Sequence, residues 1–116
     1  MSFVESKPHF DSDGDNTAQA VKTSGGRIHA MAVANKNTAD AFIQFFDTAA
    51  ASVNVGTTTP VFSILIPKGD GTLFGQFDTT FTFPVKFNAA ITYACTTTPT
   101  GSGDPSTGLT VNIFYS

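Results

Sequence analysis

Between Gly75 and Cys95 apolar and polar residues alternate with a period of two. Phe77, Thr79, Phe81, Phe83, Val85 and Phe87 take one parity; Asp78, Thr80, Thr82, Pro84, Lys86 and Asn88 take the other. Successive side chains of a strand point to opposite faces, so this period predicts β structure with one face buried. The same parity runs on through Ile91, Tyr93 and Cys95. An unbroken strand of that length would reach about 60 Å at about 3.3 Å per residue, too long for a small domain. A break is therefore expected near Pro84 or at Asn88 to Ala90.

Other segments repeat the pattern more briefly. Leu109, Val111, Ile113 and Tyr115 predict a last strand. From Arg27 to Ala34, Ala30, Ala32 and Ala34 share one face, and His29, Met31 and Val33 share the other. Asn35-Lys36-Asn37 follows as a turn signal. Ala41 to Asp47 is ambiguous. Phe42, Phe45, Phe46, Ala49 and Ala50 fall at helical spacing, with Asn37 or Thr38 available as a cap. Its aromatic and β-branched content favours a strand with Phe42, Gln44 and Phe46 on one face and Ile43, Phe45 and Asp47 on the other. Val61 to Ile66 is apolar on both parities between Pro60 and Pro67, which predicts a short buried strand.

Elsewhere no period appears. Lys68-Gly69-Asp70-Gly71 and the Thr, Pro, Gly and Ser of Thr96 to Gly108 read as loops, and Met1 to Ser24 is polar and irregular. The chain has 116 residues, the size of one domain. Apolar residues make up 41% of it, including 12 Phe and no Trp, enough to build a core. Only 13% are charged, about half the usual share, and Thr, Gly, Ser, Asn and Ala fill the difference. The expected fold is all-β: a single antiparallel, jelly-roll-like β-sandwich of six to eight short strands over 25–116. An extended N-terminal arm over 1–24 is expected to precede it.

The net charge of −3 and six scattered basic residues argue against nucleic acid, whose phosphates call for clustered Lys and Arg. The densest basic feature is Lys22 to Arg27, two charges across a glycine pair. One cysteine, Cys95, excludes an intrachain disulfide. Met1-Ser2-Phe3-Val4-Glu5 lacks the basic and apolar regions of a signal peptide, and no apolar run nears the roughly 20 residues of a bilayer span. Synthesis in a reducing cytoplasm, with no membrane partner, is expected.

The templates for chemistry fail one after another. Asp11, Asp13 and Asp15 could offer oxygens to a cation, but in an EF-hand count Gly14 falls at position four and Lys22 at twelve, where a Glu is needed. An acidic, solvated arm is the plainer reading. His9, His29 and Cys95 lack zinc-ligand spacing. Cys95 lies in an apolar run, as a packed thiol does. No serine sits in a G-x-S-x-G elbow, and no Gly-Lys-Ser/Thr follows Gly69, Gly71 and Gly75. No catalytic, cofactor or metal site and no small-molecule substrate is expected, so the chain reads as no enzyme. A sugar platform would favour Trp and Tyr; here there are none and two.

Several blocks between Gly25 and Tyr115 resemble a family of small virion proteins of tailed bacteriophages. They are Thr23-Ser24-Gly25-Gly26-Arg27-Ile28-His29, Ala34-Asn35, Phe45-Phe46-Asp47-Thr48-Ala49, Pro60 with Ile66-Pro67, and Phe83-Pro84-Val85-Lys86-Phe87-Asn88-Ala89-Ala90-Ile91. The resemblance implies a β-sandwich decoration, or cement, protein on the capsid surface. It further implies the major capsid protein and copies of itself as partners, commonly as a homotrimer. It brings no catalytic residues. On this reading the arm, Met1 to Lys22, tethers the sandwich to a neighbour. The alternative is a tail-fibre, spike or other glycan-binding component that meets the host surface through Lys68 to Gly75 and Thr97 to Gly108.

Overall fold

The computed structural model describes residues 5–116. Eight strands follow one another: β1 (Lys7–Gly14), β2 (Gln19–Lys22), β3 (Gly26–Asn35), β4 (Ala41–Phe46), β5 (Phe62–Ile66), β6 (Gly75–Phe87), β7 (Ile91–Thr96) and β8 (Leu109–Tyr115). A single 3-10 turn, Ala50–Ser52, lies between β4 and β5. The protein is all-β, as expected. Sheet one has the order β1-β8-β3-β6 and sheet two the order β2-β7-β4-β5, with every ladder antiparallel.

The connectivity has a simple logic. The first strand pairs with the last, the second with the second-to-last, and so inward to β4 with β5. These pairs fall alternately in sheet one and sheet two, and the β3–β8 and β4–β7 ladders complete each sheet. The inward side chains of both sheets form one cluster. Ile28, Met31, Val33, Phe87, Leu109, Val111 and Ile113 come from sheet one; Val21, Ala41, Ile43, Phe45, Ile66, Ile91, Tyr93 and Cys95 come from sheet two. Phe45 stacks on Phe62 at 4.7 Å between centroids and tilts against Phe87 and Tyr93. Each large apolar side chain so buried stabilises the fold by about 1.5–3 kcal/mol.

The expected break in the long alternation falls at Asn88–Ala90, between β6 and β7. The carboxylate of Asp47 receives the N–H groups of Asn88, Ala89 and Ala90 at 2.9, 2.7 and 3.3 Å. Those three donors hold its pKa below the ordinary carboxylate range. Pro84 does not break β6, because β6 is an edge strand and a missing ladder donor is tolerated there. The ladder shifts instead. Ile28 opposes Val85 and Ala30 opposes Thr80, so Phe81 to Pro84 bulge opposite His29 alone. Phe83, expected on the buried face, is 85% exposed on that bulge. The same irregularity moves β3 out of strict alternation: Ile28, Met31 and Val33 face the core, and His29 is not among them.

Two further expectations need correction. From Lys7 onward the segment 1–24 is no arm: β1 pairs with β8 and β2 with β7, so the β-structured unit begins before Gly25. Met1 to Val4 lie outside the described residues. The apolar alternation is absent because β1 and β2 are edge strands, and β1 turns His9 and Asp11 inward to the hydroxyl of Tyr93. β5 is an edge strand too, with Leu65 45% exposed, rather than a strand covered on both faces.

Candidate interaction surface

The two sheets differ in what lies over their outer faces. On sheet two, Gln44, Phe46, Thr92, Ala94 and Thr96 point away from the shared core, yet all five are buried. The chain's own loops cover them. Nε2 of Gln44 donates to Thr96 Oγ1 at 2.7 Å and to the carbonyl of Gly101 at 3.0 Å, which pins the loop after β7 onto the sheet. Thr92 Oγ1 donates to the carbonyl of Thr48 at 2.6 Å, which pins the connection after β4. The two loops then touch each other. A Cβ on Gly56 would stand 2.9 Å from Ser102 Cβ, and its φ of 93° also favours glycine.

Among the described residues sheet one carries no such cover. Opposite its buried side chains it presents three cross-strand rows. The first is Pro8, Phe114, Ala30 and Thr80; the second Phe10, Asn112, Ala32 and Asp78; the third Thr110, Ala34 and Gln76. In these rows Asp78 is the one formal charge. The alanine methyls are short, so Gln76, Asp78 and Asn112 frame a shallow trough of about 230 Å³ over Ala32 and Ala34. Phe10 at one side is 65% exposed. Apolar and small groups with few charges are what the centre of a protein interface favours. At one end of the same face Arg27 lies directly opposite Lys86.

The two loops singled out in the sequence do meet at one end of the molecule, through Asn37. Its Nδ2 donates to the carbonyl of Thr107, its Oδ1 accepts from Thr107 N–H, and its own carbonyl accepts from Gly69 N–H, all at 2.7–2.8 Å. Buried Asn35 supports Asn37 from below: its Oδ1 accepts from Asn37 N–H and Nδ2, and its Nδ2 donates to Ala39 and Ile66 carbonyls. Leu73 and Phe74 stand exposed at this end, with the Lys36 ammonium 5.5 Å from the Phe74 ring centre.

The remaining candidates are structural. Asp11 Oδ1 caps Asp13 N–H and Asp15 Oδ1 caps Thr17 N–H, each two residues on. Among the described residues no three His, Cys, Asp or Glu gather as metal ligands would. Tyr93 donates to Asp11 Oδ2 at 2.6 Å and meets His9 Nε2 at 3.0 Å. Burial, and then the Asp11 bond and charge, push the Tyr93 hydroxyl far above its usual acidity range. His29 meets Ser116 Oγ at 2.7 Å. Cys95 is buried, and burial raises its thiol well above the range in which thiolate forms. The sequence marked Ala30, Ala32 and Ala34 as one face. Their run of small residues at one parity was the signal for a closely approachable sheet surface, but not for its lack of cover. Compared with known protein families, curated proteins and solved structures, the chain matches none.

Proposed function

We propose that the protein is a structural virion component, a bacteriophage capsid decoration (cement) protein that binds and braces the head shell without catalysing a reaction. One observation carries the reading: β4 and β7 of sheet two are covered by the chain's own loops, while the described residues leave sheet one an open, alanine-floored face with a single charge in its three rows. Such a face suits a subunit contact, either with the major capsid protein or with a further copy in a homotrimer. The strand order supports a second step. A chain folded back on itself, first strand on last, with its pairs shared between two four-stranded sheets, is what a jelly roll would require, a form that capsid domains use repeatedly. That step is an analogy of fold. From Lys7 on, the N-terminal segment is paired into the sheets and would serve as part of the brace, not as a separate tether.

The test is rebinding of purified protein to particles that lack it. Ala32→Lys places a cation in the middle of the bare face while its parity keeps it out of the core. Its melting temperature should stay near wild type, because Asp78 directly opposite can pair the new ammonium, and its particle affinity should fall about tenfold or more, since the long side chain stands where a partner's surface would pack. Full affinity in a folded Ala32→Lys would sink the reading. The runner-up, a fibre or spike component, draws on the loop end, where Asn37 gathers both loops beside exposed Leu73 and Phe74. Loss of cell-surface or glycan binding in Phe74→Ser, with Ala32→Lys unaffected, would promote it.

A further inference from the structure

We propose that the corner where the start of β3 meets the end of β6 is an oxyanion-binding site, built by Arg27 and Lys86 over a floor of Gly25 and Gly26. In the antiparallel ladder Gly26 opposes Phe87, Arg27 opposes Lys86 and Ile28 opposes Val85. Ile28 and Phe87 are core residues, so Arg27 and Lys86 project together from the outer face of sheet one. Like charges placed directly opposite across a ladder destabilise it. The chain has only six basic residues and a net charge of −3, so an unforced pairing of two of them is out of character with the rest of the surface. A bound anion turns the repulsion into a two-pronged grip, with the planar guanidinium donating two bonds and the ammonium adding a point charge.

The shape of the corner fits that role. Gly25, Gly26, Arg27, Lys86, Phe87 and Asn88 line a hollow of about 340 Å³. No side chain can stand at either glycine: a Cβ at Gly25 would lie 2.6 Å from the Asn88 carbonyl oxygen, and one at Gly26 would fall on the backbone oxygen of Ser116. Asp47, the carboxylate of this corner, is already occupied by the N–H groups of Asn88 to Ala90.

The shared chemistry is a carboxylate or phosphate oxyanion, free or carried as an acidic side chain on a docked protein. The inference stands apart from the capsid reading. Binding at such an exposed site should be weak, with half-saturation on the order of 1–10 mM. The test is amide-resolved NMR of the whole chain, titrated with inorganic phosphate and separately with glutarate, against sodium chloride at equal ionic strength. Saturable shifts confined to Gly25, Gly26, Arg27, Lys86 and Asn88 are expected, weakened about tenfold in Arg27→Gln. Response to both anions assigns a general oxyanion grip able to take a partner's carboxylate; response to phosphate alone assigns a phosphate site. Lys86→Glu supplies a second readout, replacing repulsion with an attractive cross-strand pair. It should melt higher than wild type at low salt and lose the anion-induced shifts. Shifts no larger than those from chloride, or shifts that persist in Lys86→Glu, would overturn the assignment.

Discussion

At the scale of single residues the clearest arrangement is His9, Tyr93 and Asp11. Tyr93 has one proton, and the 2.6 Å contact gives it to Asp11. The hydrogen-bond network therefore requires His9 to carry its proton on Nε2 and donate to the Tyr93 oxygen at 3.0 Å. Burial lowers the pKa of His9 from its ordinary 6.5, and the Asp11 charge opposes the shift without cancelling it. The sign follows from linkage. A histidine whose folded value is depressed contributes stability that is present above 6.5 and is lost as pH falls toward the folded value, because the unfolded chain takes up the proton first. The melting temperature should thus drop between about pH 7 and about pH 5, and His9→Gln should flatten that slope. Asp47 cannot mimic the effect, since its window lies below its ordinary 3.8. A melting series on both chains decides it: equal slopes would mean that His9 plays no part. None of this was legible in the sequence, where His9 and Asp11 stood in a polar stretch with no apolar period to reveal which way they point.

Elements were legible in proportion to how regularly their sequence alternates. β7 and β8 were announced by their alternation, and β4 only by its aromatic and β-branched content; β6 alternated until Phe83, where the bulge opposite His29 reversed the expected burial. β5 carries apolar residues on both parities but lies at an edge, since alternation reports faces and not neighbours. β1 was missed outright, and it is the element on which the arm and sandwich descriptions differ most. It pairs with β8 over Lys7 to Asp11 and again at Gly14, and it brings both partners to the Tyr93 hydroxyl. A true arm could be removed at no cost to the domain. Deleting residues 1–14 should instead strip the ladder from β8 and leave a buried hydroxyl unpaired, a loss above about 4 kcal/mol. For a domain of this size that lowers the melting midpoint by at least about 15 °C. Calorimetry of the shortened chain reads it directly. A midpoint within a few degrees of wild type would restore the arm.

The whole molecule is organised by a rule that alternation cannot express, because period two says which face a residue takes and nothing about which strand lies beside it. Divide the chain in the connection between β4 and β5. In sheet one the strands then run first half, second half, first half, second half, and sheet two repeats the sequence. Every ladder joins a strand of one half to a strand of the other. Among the described residues neither half contains a strand pair of its own, and each supplies only part of the common core. Two consequences follow. Folding waits on distant segments meeting, so the domain belongs with the slower, milliseconds-to-seconds class of small proteins. Cleavage between Gly56 and Thr57, both exposed, should yield fragments 1–56 and 57–116 that are each unfolded alone, for want of any internal partner to offset chain entropy. Mixed in equal amounts they should recover the β-type circular dichroism and dispersed amide spectrum of the intact chain, with a midpoint that rises with concentration, as for any association. Strand signal from either fragment alone would show that local hairpins, and not the interleaving of the two halves, hold the sheets together.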